Sequence, residues 1–171
     1  LLAVVNDILD FSKIESGKME IFEHTYQLGE ALKDVVTMIE LKAKQKGLDF
    51  SIDVRSELPD VLYGDDVRIK QILLNLLNNA IKYTEEGSVC LKVTGEADAD
   101  YKMVNLVMSV SDTGIGIRKE NMNALFNQFQ RFDLKNNRNI EGTGLGLAIT
   151  HNLIQMMNGS IKVECTYGVG S

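Results

Sequence analysis

Two amides and an ammonium at helical spacing are the first residues with chemistry to offer. In Gln71-Ile72-Leu73-Leu74-Asn75-Leu76-Leu77-Asn78-Asn79-Ala80-Ile81-Lys82-Tyr83-Thr84, positions 75, 79 and 82 step by four and three. On a helix that spacing sets two carboxamides and an ammonium on one face. An Asn oxygen can ligate a hard cation, and a Lys can meet a phosphate. The apolar residues at 69, 72, 73, 76, 77, 80 and 81 recur with the same period, so the segment reads as a helix pressed on a core. Each Asn costs a helix roughly half a kcal/mol against Ala, and three lie within positions 75–79. Taken alone, the stripe could equally hydrogen-bond neighbouring strands.

Two glycine-bearing segments follow. Alternation over 103–111 predicts a strand that runs into Asp112-Thr113-Gly114-Ile115-Gly116-Ile117. A carboxylate at a strand end, followed by glycines that admit close backbone, suits a flat heterocycle with an exocyclic amine. Adenine N6 would be accepted and guanine O6 repelled. An Asp-capped turn with ordinary turn glycines has the same composition. Further on, Gly142-Thr143-Gly144-Leu145-Gly146-Leu147 opens a helix expected over 145–157. Glycines at alternate positions before a helix expose amides to a phosphate chain, at the positive end of the helix dipole. The spacing is neither the dinucleotide fingerprint nor a P-loop. Phe126, Phe129 and Phe132 precede a polar run over 133–141, which reads as a mobile loop. The phenylalanines are either plain core or the anchor of a lid.

The elements that must hold these residues can be read from periodicity. A helix over 1–16 carries Leu1, Val4, Ile8 and Phe11 on one seam, with Val5 and Leu9 beside it, and stops at Gly17. So wide an apolar face predicts a helical bundle or dimer, with packing on the domain's own core as the other outcome. A short strand is expected over 19–22, a helix from 28 to about 46, a strand over 48–54 and a break at Pro59. Asp65 and Asp66 open the organising helix. The strands at 89–93 and 103–111 should pair as an antiparallel hairpin, and a last strand is expected over 160–165, after Gly159 closes the final helix. Strands and helices mix without βαβ regularity, which predicts an α+β, two-layer arrangement with helices on one sheet face.

With 171 residues, 44% of them hydrophobic, the chain can bury one good core. A net charge of −6 argues against nucleic acid or an anionic membrane as the main partner. Cys90 and Cys165 lack metal-ligand spacing and are expected as reduced thiols. No apolar run approaches the roughly 20 residues that span a bilayer. The ends, helical at Leu1 and strand-like at Ser171, predict a fragment of something longer.

In this order, Asn75-x-x-x-Asn79, Asp112-x-Gly114-x-Gly116, Phe126-x-x-Phe129 and Gly142-x-Gly144-x-Gly146 resemble the N, G1, F and G2 boxes of sensor histidine kinases. Leu9-Asp10-Phe11-Ser12-Lys13-Ile14-Glu15-Ser16-Gly17 resembles the end of that family's dimerisation helix. Gly64-Asp65 with Arg68 and Gln71 resembles the entry to its N-box helix, and 168–171 the start of its last glycine box. The resemblance implies the Bergerat fold, a mixed and mostly antiparallel sheet backed by three helices. It implies a domain over 19–171, truncated before its last strand, behind a dimerisation-helix end over 1–18. It also implies ATP and magnesium as cofactors, with Asn79 on the metal and Asn75 beside it. Lys82 would meet phosphate, Tyr83 would border the adenine, and Asp112 would take N6. Gly144, Leu145 and Gly146 would offer amides to the phosphates, with Arg131 near the γ-phosphate. Gly114, Gly116, Ile117, Phe129, Gly142 and Thr143 complete the implied contact set.

The implied chemistry is phosphoryl transfer to a histidine on an upstream helix, by positioning and charge neutralisation. Implied partners are the protein's own phosphoacceptor domain and a response-regulator receiver domain, in a homodimer. The implied placement is cytoplasmic, with or without a membrane anchor elsewhere in the protein. One departure stands out. His24 and His151 lack the family's acceptor context and read as ordinary surface or packing residues, so no catalytic residue is assigned. Two alternatives stay open: another Bergerat ATPase, such as a gyrase-like clamp, and a nucleotide-binding interaction module without kinase activity. The clamps carry a Glu on the N-box helix close to the metal Asn, and residues 75–78 here hold no carboxylate.

The helical stripe yields a direct test. Chelating magnesium should weaken ATP binding by the parent but hardly change it in Asn79→Ala, by calorimetry. Asn78→Ala, about 100° around the helix, should keep the metal dependence. Indistinguishable variants would make the stripe structural.

Overall fold

A computed structural model describes residues 2–55, 57–98, 100, 103–127 and 143–171. Helix α1 (Leu2–Glu15) ends at Gly17, which is left-handed at φ 66°. Strand β1 (His24–Gln27) leads directly into α2 (Leu28–Lys46), which Gly47 closes at φ 76°, donating its N–H to the carbonyls of the last turn. Strands β2 (Asp49–Val54) and β3 (Val61–Gly64) precede α3 (Asp66–Tyr83). The hairpin β4 (Ser88–Ala97) and β5 (Val104–Asp112), a single turn α4 (Lys119–Met122) and α5 (Gly146–Met156) complete the described elements.

The main sheet is ordered β2-β4-β5, with β2 parallel to β4 and β4 antiparallel to β5. Val89, Leu91 and Val93 of β4 are fully buried on one face, as strict alternation requires. Against them lie the apolar stripes of α2 (Val35, Ile39, Ala43) and α3 (Leu73, Leu77, Ala80), forming one continuous core. A second cluster joins Leu145, Ile149 and Leu153, at and within α5, to Met19, with Phe11, Ile14 and Ile72 packed against it. The hairpin, the helix over 28–46 and the two-layer α+β arrangement thus match expectation. Cys90 and Cys165 are free thiols. Among the described residues no helix is long and apolar enough to cross a membrane.

Four details differ from the sequence reading. The strand expected over 19–22 is absent: Met19 is buried in the second cluster, and the Phe22 N–H donates to the Asp65 carboxylate at 2.9 Å instead of to a ladder. The strand begins at His24 and pairs antiparallel with β3, an unforeseen four-residue strand, in a separate ribbon. Residues 160–165 carry no ladder; 160–164 and β5 both line a cavity of about 2080 Å³. Helix α5 closes through Asn158, left-handed at φ 58°, while Gly159 donates its N–H to the Ile154 carbonyl at 2.8 Å.

The wide apolar face of α1 is divided. Phe11 and Ile14 pack on the domain itself, whereas Val4, Val5, Ile8 and Leu9 stay between 40% and 53% exposed.

Leu77 is fully buried where α2, α3 and the sheet meet, so its truncation leaves a cavity. Leu77→Ala should cost about 2–5 kcal/mol in urea unfolding. Leu41→Ala, on the exposed face of α2, should stay within about 0.5 kcal/mol.

Candidate functional site

The seating of α3 decides which side chains reach the cavity. Asp65 caps its start, accepting from the Arg68 N–H at 3.0 Å, and is itself buried. With the Leu73–Leu77 ridge turned to the sheet, the stripe of Asn75, Asn79 and Lys82 faces the 2080 Å³ cavity. Asn75 uses its amide to tie α3 to α5, donating to the Thr150 hydroxyl at 2.7 Å. Its oxygen lies where a Cβ on Gly146 would fall, so only glycine allows α5 to begin this close. Lys82 holds its ammonium 5.0 Å from the centre of the Tyr83 ring, a cation–π distance.

The opposite wall is the end of β5. Asp112 is its last residue, and its Oδ1 accepts the Gly114 N–H at 2.8 Å. Its backbone exchanges both hydrogen bonds with Ser171, at 2.9 and 3.2 Å. Burial pushes the carboxyl above the usual range, and hydrogen bonds from Gly114 and Ser171 partly oppose the shift. Gly114 lies against the Tyr83 carbonyl and the Thr84 hydroxyl, leaving no room for a Cβ. Thr84 is fully buried, its hydroxyl donating to the Ala80 carbonyl at 2.8 Å.

The third side is the turn into α5. Thr143, Gly144 and Gly146 line the cavity, while Leu145 is buried beneath them. The Leu145 N–H donates to the Thr143 hydroxyl at 3.2 Å, and that hydroxyl donates to Asp7 of α1 at 3.0 Å.

Asn75, Asn79, Lys82, Tyr83, Asp112, Gly116, Ile117, Thr143, Gly144 and Gly146 therefore open on one space. Gly114 and Leu145 sit behind it. Phe129, Phe132, Arg131, Gly142 and the loop over 133–141 lie outside the described residues. Phe126, the first of the three phenylalanines, stacks on His151 at 5.0 Å, a packing contact. His24 lies 3.1 Å from Asp66 on the far end of α3. Sequence reasoning missed Thr150, Thr84 and Asp7. Thr84 stood beside a flagged residue, but the bonds of Thr150 and Asp7 join residues far apart in the chain, where local spacing carries no signal.

Amides and an ammonium on one wall, a buried carboxylate opposite and a glycine turn at a helix start together define a nucleotide-binding domain. The family model described as histidine kinase-, DNA gyrase B-, and HSP90-like ATPase matches residues 64–171. The chain is 43% identical over its whole length to a protein named hybrid signal transduction histidine kinase B of Dictyostelium discoideum, of which it covers 9%. It is 39% identical, again over its whole length, to the signal transduction histidine-protein kinase BarA of Escherichia coli, of which it covers 18%. Among solved structures, full-length ShkA in complex with AMPPNP superposes with a TM-score of 0.83 at 32% identity, over 99% of this chain and 34% of that one. The nucleotide-free catalytic domain of histidine kinase ThkA gives 0.58 at 30% identity, over 80% of this chain and 82% of that domain. The chain belongs to the histidine kinase-, gyrase B- and HSP90-like ATPase family, as an ATP-binding catalytic domain of the sensor histidine kinase type.

If Asp112 takes the adenine amine, as the resemblance implies, its raised pKa should make ATP binding sensitive to pH. Only the ionised carboxylate accepts freely from an amine, and protonation sets in at a higher pH than for an ordinary Asp. ATP affinity should therefore fall as pH drops toward that raised value. Asp112→Asn should bind at least roughly tenfold more weakly at neutral pH and lose this acid limb. Calorimetry across pH checks both, and equal binding of ATP and GTP by the parent would contradict the assignment.

Proposed function

We propose that this domain positions ATP for transfer of its γ-phosphoryl group to a histidine on an upstream helix of the same protein. The observation that carries the reading is the convergence of Asn79, Lys82, Asp112 and the 143–146 turn on one cavity. Asp112 selects the adenine, and Tyr83 borders it. The amides of Gly144, Leu145 and Gly146 take the phosphates at the start of α5, and Lys82 adds positive charge. Asn75 acts less on the ligand than on the turn, since its amide already serves Thr150.

Magnesium fits this donor set. Among the described residues no group of three His, Cys, Asp or Glu stands ready to hold a metal. An ion held by one or two protein oxygens and by substrate phosphates needs no such group. Asn79 is the side chain that would hold it, with Asn75 next to it on the same stripe. When bound, magnesium offsets charge on the phosphates; the protein's part is to align them.

The chain spans 9% and 18% of the two named relatives. For the whole protein we propose a homodimer joined through the exposed apolar face of α1, with a receiver domain as the next phosphoryl acceptor. A clamp-type ATPase is disfavoured because Asn75, Leu76, Leu77 and Asn78 offer no carboxylate to activate water.

Labelled ATP separates the two. Alone, the domain should acquire no acid-labile phosphate and should turn ATP over slowly. Supplying the upstream helix, joined to Leu1 or in trans, should restore labelling on a histidine of that helix, because only a positioned nucleophile is lacking. Fast turnover without any labelling would favour the clamp.

A further inference from the structure

The chain over 165–171 folds back on the segment that follows β5. Thr166 and Gly170 form an isolated antiparallel bridge, and the Thr166 carbonyl accepts the N–H groups of Val169 and Gly170 at 2.9 and 3.1 Å. The result is a tight turn, with Gly168 at φ 83°. It lies flat against its neighbour: a Cβ on Gly170 would meet the Asp112 carbonyl, and one on Gly116 would meet that of Thr166. Two ties between the segments are made by backbone. Asp112 and Ser171 exchange hydrogen bonds, and the Gly168 N–H donates to the Ile115 carbonyl at 2.8 Å.

The third tie is made by side chains. Arg118 directly precedes α4, and its guanidinium carbon stands 4.1 Å from the centre of the Tyr167 ring. The same guanidinium donates to the Tyr167 hydroxyl at 2.8 Å, so one cation engages both the face and the polar tip of the ring. The ties at 112, 115 and 118 are evenly spaced along one segment, and their partners at 171, 168 and 167 run the other way. Arg118 also lines the cavity on which Asp112 opens. Tyr167 is 46% exposed, so burial alone does little to hold its ring.

The clasp stands where the backbone ties are weakest. The middle tie is a single hydrogen bond, and it leaves from a glycine in the left-handed region, whose backbone has many other conformations open to it. Without the side-chain tie the turn can lift from that end, and the Asp112–Ser171 pair is the last to hold. We infer that Arg118 and Tyr167 clasp the 166–171 turn onto the 112–117 segment and thereby keep Asp112 in the place from which it meets a nucleobase. Both are positioning residues that act through Asp112. The inference rests on reading Asp112 as the acceptor of the adenine amine. Molecules with the turn lifted do not bind, so the apparent affinity falls in proportion to the fraction that stays clasped.

The test measures adenosine, ADP and ATP binding by calorimetry for the parent chain, Arg118→Ala, Tyr167→Ala, the double variant and Tyr167→Phe. Hydrogen exchange at Gly168 and Ser171 is read alongside. Each alanine variant should bind adenosine about three- to tenfold more weakly, the reach of one exposed cation–π contact and one charged hydrogen bond. ADP and ATP should lose the same factor, since their phosphates are taken by the turn into α5. The double variant should be no worse than either single one, because each breaks the same clasp. Tyr167→Phe keeps the ring face without the hydroxyl and should fall between parent and alanine. The Gly168 and Ser171 amides should exchange faster in every alanine variant. A loss in Arg118→Ala that grows with the number of phosphates, or that adds to the loss in Tyr167→Ala, would put the guanidinium on the ligand itself and overturn the inference. Alanine variants that match a parent selective for ATP over GTP would remove the inference alone. A parent that binds ATP and GTP alike removes the adenine reading and this inference together.

Discussion

The cavity depends on one helix being held in a single rotation. Leu73 and Leu77 of α3 are buried against α2 and the sheet, and each turn of the helix fixes what stands opposite. A close-packed core resists rotation, because moving either leucine opens a void and overfills its neighbour's place. Asn79 and Lys82 are aimed by that packing. The Asp65 cap fixes the start of the helix and at the same time gathers the Phe22 amide, so one buried carboxylate sets both the phase of α3 and the path of the linker from α1.

Much of this was legible in residue order. The hairpin, the three long helices with their stops, and the polar stripe on α3 follow from periods of two and 3.6 with glycine punctuation. The glycine segments were legible because close approach leaves few other residues possible, and the contacts of Gly114 and Gly146 bear this out. What escaped is non-local. The short strand β3 has only four residues, and its exposure alternates with nothing fully buried, too faint a pattern to separate from a loop. The segment over 19–22 has strand-like residues, yet its Phe22 amide is claimed by a cap more than forty positions away. Residues 160–165 alternate well enough, and alternation cannot say whether a neighbour lies within bonding distance.

The divided face of α1 illustrates a further limit of pattern reading. A single seam of apolar residues suggested one partner, but the helix serves two surfaces at once, with Phe11 and Ile14 turned inward and Val4, Val5, Ile8 and Leu9 outward. Interleaved among them are Asp7 and Asp10, to which the sequence reading gave no role. Only the three-dimensional contacts with Thr143 and Gln71 show that the acidic residues belong to the inner face.

The pairing of Asp112 with Ser171 bears on the order in which the molecule is made. The α2–α3 layer and its strands draw on residues 28–97, all of which leave the ribosome well before Ser171. The wall at the end of β5 is different, because the backbone of Asp112 has its reciprocal partners only once Ser171 has emerged. Until then the end of β5 carries unpaired amide and carbonyl groups and a carboxylate without its full complement of donors. The residues of the scaffold are thus all synthesised before this wall of the cavity can be completed.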